Sequence, residues 1–257
     1  MDSLSRNINK VKCSVLGVGF VPTTLSAAVL YIKENARKLG GRYICFSNVH
    51  TTVIAADVPV YRRILNGAAF VFPDGAPIAA YIRKHGFEGA ERVAGPDFME
   101  KMFELTADGS LSHFFFGSTE ETLAGLKANL EEKYPGLDVR GYFSPPFGDV
   151  SEEEDEQIMK MLNESGADII WVGLGAPKQE KWMVKHKKRV KGLMMGVGAG
   201  FDFHGGTIKR APVIMQKTGL EWLYRLLSDP QRLFFRYLTT NIRFIIYTLT
   251  GKKTDDF

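Results

Sequence analysis

Cysteine is nearly absent from this chain, with Cys13 and Cys45 the only two in 257 residues. Two cannot build a disulfide scaffold or a Cys-rich metal site. Each lies in an apolar run, so both are expected as buried free thiols in a reducing compartment. The five histidines, at 50, 85, 113, 186 and 204, lack the spacing of a zinc site. No uncharged apolar run of about 18 residues exists, so no membrane-spanning helix is expected. The opening MDSLSRNINKVK has no apolar centre, and no secretory signal is expected. GxxxxGK[ST], GxSxG, CxxC and HExxH are all missing, which removes P-loop hydrolysis among other chemistries. The dinucleotide fingerprint fails too. Gly17 and Gly19 are followed by Pro22, Gly173 and Gly175 by Lys178, and Asn48 stands where an acid should meet a ribose.

What is present is ordinary for a folded domain: 45% hydrophobic and 24% charged residues, 26 Gly and 11 Pro. A mass of 28.7 kDa suits one large domain, or one domain with an appendage. The net charge of +4 is modest but uneven. The acidic run at 152–156 contrasts with the basic Lys185, Lys187, Lys188, Arg189 and Lys191. From Gly205 to Phe257 nine Lys and Arg face four acids, an excess of five.

Strand-length apolar runs alternate with helix-period segments to about residue 200. Strands are expected at 12–18, 42–47, 68–72, 113–117, 137–142, 167–173 and 191–198. Helices are expected between them, with Pro59 opening a new helix inside 49–67. Buried, non-alternating strands joined by helices indicate an α/β fold: a mostly parallel, Rossmann-like sheet with helices on both faces. After about residue 205 the pattern is helical only, over 211–218, 219–227 and 231–250. The chain therefore divides into an α/β core, 1–204, and a basic amphipathic helical appendage, 205–257.

Ligands of open parallel sheets sit at the carboxyl ends of strands, beside helix N-termini. Small residues there let backbone amides approach a phosphate. Gly17-Val18-Gly19, Gly117-Ser118-Thr119, Gly173-Leu174-Gly175-Ala176-Pro177 and Gly198-Ala199-Gly200 occupy such positions. The plainer alternative is that these glycines only close tight turns. Asp74, between Pro73 and Gly75 after a buried strand, suits a partly desolvated general base; the alternative is a cap for the next helix. Asp202 could contact donor hydroxyls or merely order its glycine-rich loop. After Pro177, Gln179 can reach a ligand held by the preceding glycines, whereas Lys178 and Glu180 can equally be a solvated first turn.

Six blocks in order, PDGAP (73–77), ERVAGPDF (91–98), FFFGSTEET (114–122), WVGLGAPKQEKWM (171–183), GVGAGFDFHGGTIKRAP (196–212) and GLEWLYRLLSDPQRLFFRYL (219–238), resemble the WecG/TagA/CpsF glycosyltransferases of family 26. The resemblance spans about residues 40–240. It implies transfer of N-acetylmannosamine, its uronic acid or a related hexose from a UDP-sugar to an undecaprenyl-diphosphate-linked acceptor. The products would serve teichoic acid, capsule or related polysaccharide synthesis. It further implies inversion at the anomeric carbon and no metal cofactor. Asp74 matches the family's base and Arg92 the arginine proposed to meet the diphosphate, while Asn48 and Gln179 match two further site positions. Phe46 departs from a Thr found in many relatives, which leaves the sugar open.

The resemblance also implies that the tail docks on the cytoplasmic face of the membrane, with Arg210, Arg225, Arg232 and Arg236 brought to the lipid diphosphate. The residues agree, since basic side chains interleave with aromatic and Leu-rich faces. Packing against the core or a second copy in a homo-oligomer is the alternative. No nucleic-acid motif accompanies the basic residues. A non-catalytic nucleotide-sugar-binding protein at the membrane is the alternative function.

Overall fold

In a computed structural model the described residues are 11–146, 148, 150–212, 214–215 and 220–252, the side chains of 232 and 236 excepted. Six strands form one parallel sheet: β3 (Tyr43–Ser47), β4 (Phe70–Pro73), β5 (Ser112–Gly117), β6 (Asp138–Phe143), β7 (Ile169–Gly173) and β8 (Leu193–Gly196). Their order across the sheet is β4-β3-β8-β7-β5-β6. The chain builds outward to both edges, and β8 then closes the middle, pairing Tyr43 with Met194 on one side and Leu193 with Ile169 on the other.

The strand expected over 12–18 is instead an antiparallel hairpin, β1 (Cys13–Val15) and β2 (Val18–Phe20). Leu16 and Gly17 both have positive φ, 50° and 79°, the turn that joins two strands through two residues. Gly17-Val18-Gly19 therefore lies at a hairpin and not at a strand's ligand edge. Asn66 stitches the turn down, accepting from Gly19 N at 3.0 Å and donating to Gly17 O at 2.8 Å.

Helices cover both faces as the apolar strands require. On one face Ile44, Phe72, Phe115, Trp171 and Met195 pack against α1 (Leu25–Asn35), α5 (Gly95–Thr106) and α6 (Glu120–Lys133). On the other, Cys45, Val71, Phe116, Val172 and Met194 meet α2 (Val49–Asp57), α3 (Pro59–Asn66), α4 (Ala76–Lys84), α7 (Glu152–Glu164) and α8 (Lys178–Lys185). Both cysteines are buried and free. Pro59 does begin a helix, α3, where its missing N–H costs nothing.

Asp202 sits in a short helix, α9 (Gly200–His204), rather than in a loop. Half of the helix expected over 211–218, at 213 and 216–218, lies outside the described residues. Beyond it come α10 (Glu221–Ser228) and α11 (Pro230–Thr250). Among the described residues no helix is long and apolar enough to cross a membrane. One side of α11 packs on the core, burying Leu233 and Phe244. Asp57 at the end of α2 clips its far end, accepting from Arg243 Nη1 at 3.0 Å, Tyr247 OH at 2.9 Å and Lys252 Nζ at 2.6 Å. Its other side leaves Phe235, Leu238, Ile242, Ile245 and Leu249 exposed at helical spacing. Packing on the core, the plainer alternative for the tail, thus holds for one face of this helix only.

Candidate active site

A cleft of about 1360 Å³ opens across the carboxyl ends of the strands. Asn48 from β3, Asp74 from β4, Ser118 and Thr119 from β5, the 173–177 loop from β7 and Gly198 from β8 all line it. Asp202 reaches it from α9, while Glu221, Trp222, Arg225, Leu233, Tyr237 and Phe244 roof it from α10 and α11. Sheet ends and tail thus enclose one space, as expected where strand ends meet helix starts.

Asp74 is placed by the sheet. Its N–H donates to Ser47 O at 3.0 Å, prolonging the β3–β4 ladder by one residue. The helix after it is capped by Gly75 with no side-chain bond, so Asp74 has no capping role. Its carboxyl is half-buried, and desolvation holds it above the ordinary carboxylate range. Arg92, Arg225 and the Asn48 amide oppose that rise, and Glu221 adds to it. Asn48 has two jobs: its Oδ1 caps α2 by accepting from Thr51 N at 3.3 Å, and its Nδ2 faces Asp74 Oδ2 at 3.5 Å.

The glycine loops divide. Gly117, at φ 123°, does not line the cleft; a Cβ there would lie 2.6 Å from the Gly173 carbonyl carbon, so β5 and β7 need glycine to close. Ser118 sits at φ 61°, its N–H donating to Gly173 O at 3.0 Å and its Oγ to Asp202 Oδ1 at 3.4 Å. The Thr119 hydroxyl is taken by the N-terminus of α6. Gly173, Leu174, Gly175 and Pro177 line the cleft, and among the described residues nothing lies within 4 Å of where a Gly175 Cβ would be. Gly198 and Ala199, after the neighbouring strand β8, line it too.

Gln179 is buried at the cleft wall. Its Oε1 accepts from Gly198 N at 3.0 Å, and its Nε2 donates to Gly196 O at 3.1 Å and to Glu180 Oε1 at 2.8 Å. Glu180, which the sequence allows as part of a solvated first turn, is buried and accepts from Tyr61 OH at 3.1 Å. Burial raises its carboxyl, more than these bonds lower it. Nothing in the sequence separates it from the neighbouring lysines; only the turn before α8 points it inward.

The tail arginines also divide. Arg225 lines the cleft with its guanidinium 5.6 Å from the Phe203 ring centre. Arg210 does not line it; it pairs with Asp97, with Glu221 at 3.7 Å. The side chains of Arg232 and Arg236 lie outside the described residues. Arg92 lines the cleft, but its nitrogens already face Asp74 O, Glu221 and Asp97. Glu221 was legible only as an isolated acid in a basic segment. Among the described residues no group of three or more His, Cys, Asp or Glu side chains is placed so that it could hold a metal ion.

The pattern of the Glycosyl transferase WecG/TagA/CpsF family matches residues 13–256, nearly the whole chain. The chain belongs to the WecG/TagA/CpsF glycosyltransferase family. Its relatives include the N-acetylglucosaminyldiphosphoundecaprenol N-acetyl-beta-D-mannosaminyltransferases of Staphylococcus aureus strains MW2 and NCTC 8325 / PS 47. Each is 29% identical over 228 residues, covering 88% of this chain and 88% of the relative. As a WecG/TagA/CpsF member the protein is a hexosyltransferase.

Proposed function

We propose that this transferase moves N-acetylmannosamine or a related hexose from a UDP-sugar to an undecaprenyl-diphosphate-linked acceptor, inverting the anomeric centre without a metal cofactor. The product would enter teichoic acid, capsule or related polysaccharide synthesis. The observation that carries the reading is Asp74, a half-buried carboxylate at the cleft edge that caps nothing and is held above its ordinary range. Asp74 accepts the proton of the acceptor hydroxyl as the hydroxyl oxygen attacks the anomeric carbon. The bond to the donor's diphosphate breaks with its electron pair, and UDP leaves. The small residues of the 173–177 loop after β7 leave room for a diphosphate, whereas the Ser118 and Gly198 amides already donate to Gly173 O and Gln179 Oε1, and Arg225 brings positive charge from the roof.

The core 1–204 would thus hold the donor and the tail 205–257 would bring in the acceptor, the protein resting on the inner face of the cell membrane. The exposed apolar side of α11 supports that placement. Asp74→Asn should keep UDP binding while turnover falls by roughly 10²–10⁴-fold. Parental turnover in that variant would refute the assignment. Strict dependence on added Mg²⁺ or Mn²⁺, read as loss of turnover in EDTA, would refute the metal-free part. A non-catalytic binding protein would bind UDP without transferring sugar; an uncapped, desolvated carboxylate at the cleft is not something binding alone requires.

A further inference from the structure

The strand end that carries Asp74 and the tail that roofs it meet at one ion cluster. Arg92 Nε donates to the backbone oxygen of Asp74 at 2.7 Å, and its Nη2 donates to Glu221 Oε2 at 2.6 Å. Its Nη1 lies 3.7 Å from Asp97 Oδ2. Glu221 begins α10, and its other oxygen lies 3.7 Å from Arg210 Nε, a buried nitrogen with no hydrogen-bond partner among the described residues. Arg210 completes the ring through Asp97. None of the four side chains is more than a quarter exposed, and Glu221 is 12% exposed. All three nitrogens of Arg92 therefore face protein oxygens, an arrangement for holding two chain segments together rather than for clamping an incoming diphosphate.

Glu221 and Arg225 are four residues apart on α10 and so share a face. Seating Glu221 on Arg92 brings Arg225 over Phe203 and into the cleft beside Asp74. We propose that Glu221 is a positioning residue that, through Arg92, registers α10 on the strand end carrying Asp74, so that the base and Arg225 reach their working places together. The proposal rests on Asp74 being the base. It reassigns Arg92 from a diphosphate contact to the link between tail and base.

The test uses the full chain, with a UDP-sugar donor and a short-chain polyprenyl-diphosphate-GlcNAc acceptor. Glu221→Gln keeps size and hydrogen-bonding capacity but removes the charge. Turnover should fall roughly 10²-fold, the cost of a displaced reacting group, with UDP affinity unchanged. Glu221→Asp should recover part of the loss. The charged and polar groups facing Asp74 are Arg92, Glu221, Arg225 and Asn48, with Asp97 and Arg210 behind them. The Glu221 carboxylate raises Asp74 and Arg225 lowers it, so loss of the Glu221 charge alone would move the acid limb of kcat to lower pH, whereas a variant in which Arg225 also leaves the cleft should move it less or upward. Hydrogen exchange should speed up at the α10 amides of Tyr224 to Ser228 and stay unchanged in β4.

Parental kcat with an unmoved acid limb in Glu221→Gln would overturn the proposal. So would a lower acceptor KM, which would mean that Glu221 merely occupies a diphosphate site. Asp74→Asn runs alongside. If it retains parental turnover, the base assignment itself fails; if it is inactive while Glu221→Gln is normal, only the positioning role fails.

Discussion

Asn48→Asp separates the two jobs of one residue. The wild-type amide lies 3.5 Å from Asp74 Oδ2 and favours its ionised form, while its carbonyl oxygen caps α2. Aspartate caps helices as well as asparagine does, so stability should stay within about 0.5 kcal/mol. The donor next to Asp74, however, becomes a second carboxylate. Two charges about 4 Å apart at an effective dielectric of 20 repel by about 4 kcal/mol, equivalent to about 3 pH units. The cleft is open to solvent, so the acid limb of turnover should rise by about 2 units rather than the full figure. The pair should then titrate as one coupled unit. The assay is kcat against pH, with thermal unfolding as the control for the cap. Asn48→Ser retains the cap and loses only the donor, so its limb should rise much less. An acid limb that stays put in Asn48→Asp, with unfolding unchanged, would show that Asp74 does not titrate during turnover and would refute its role as base.

Burial pushes His113 down to about 4, so it is neutral in the folded chain and protonates on unfolding below about 6.5. Stability should therefore decline as pH falls from about 6.5 to 4, by up to about 3 kcal/mol, and urea midpoints of His113→Gln should lose that slope. Lys252, Tyr247 and Arg243 together outweigh desolvation and hold the Asp57 carboxyl below its ordinary range. The stability it contributes is present above about pH 4 and lost on further acidification. Asp57→Asn should cost about 1 kcal/mol, less in high salt, and quicken hydrogen exchange at the end of α11. Replacing Leu238 and Ile242, which are exposed and do not line the cleft, by Glu should abolish flotation with anionic liposomes without altering UDP binding; unchanged flotation would mean that the exposed side of α11 faces something other than lipid.

The parallel sheet was legible because all its strands but the edge strand β6 are apolar on both faces, and Asn48, Asp74 and Gly173 could be placed simply from their position at the strand ends. The hairpin at Leu16-Gly17 was missed because an apolar run shows no sign that a leucine will adopt a positive φ. Glu180 and Glu221 were missed for a related reason. A charged residue looks solvated until the partner that neutralises or hydrogen-bonds it is known, and Tyr61 and Arg92 lie more than a hundred positions away. α11 was read as a helix, but its two-sidedness depends on Asp57 and the surface of α2, which no local pattern reveals.

The late entry of β8 into the sheet has a kinetic consequence. Tyr43 and Met194 are neighbours across the ladder but about 150 residues apart in the chain. Contacts of that separation are slow to form, because a long loop must close before any bond compensates for it. A nascent chain that has not yet delivered Leu193 carries two half-sheets, β4-β3 and β7-β5-β6, each with a bare apolar edge where β8 belongs. Those edges are the places where a stalled or overproduced chain would pair with another copy. The cleft, which needs both half-sheets and then the tail, is among the last parts of the molecule to exist.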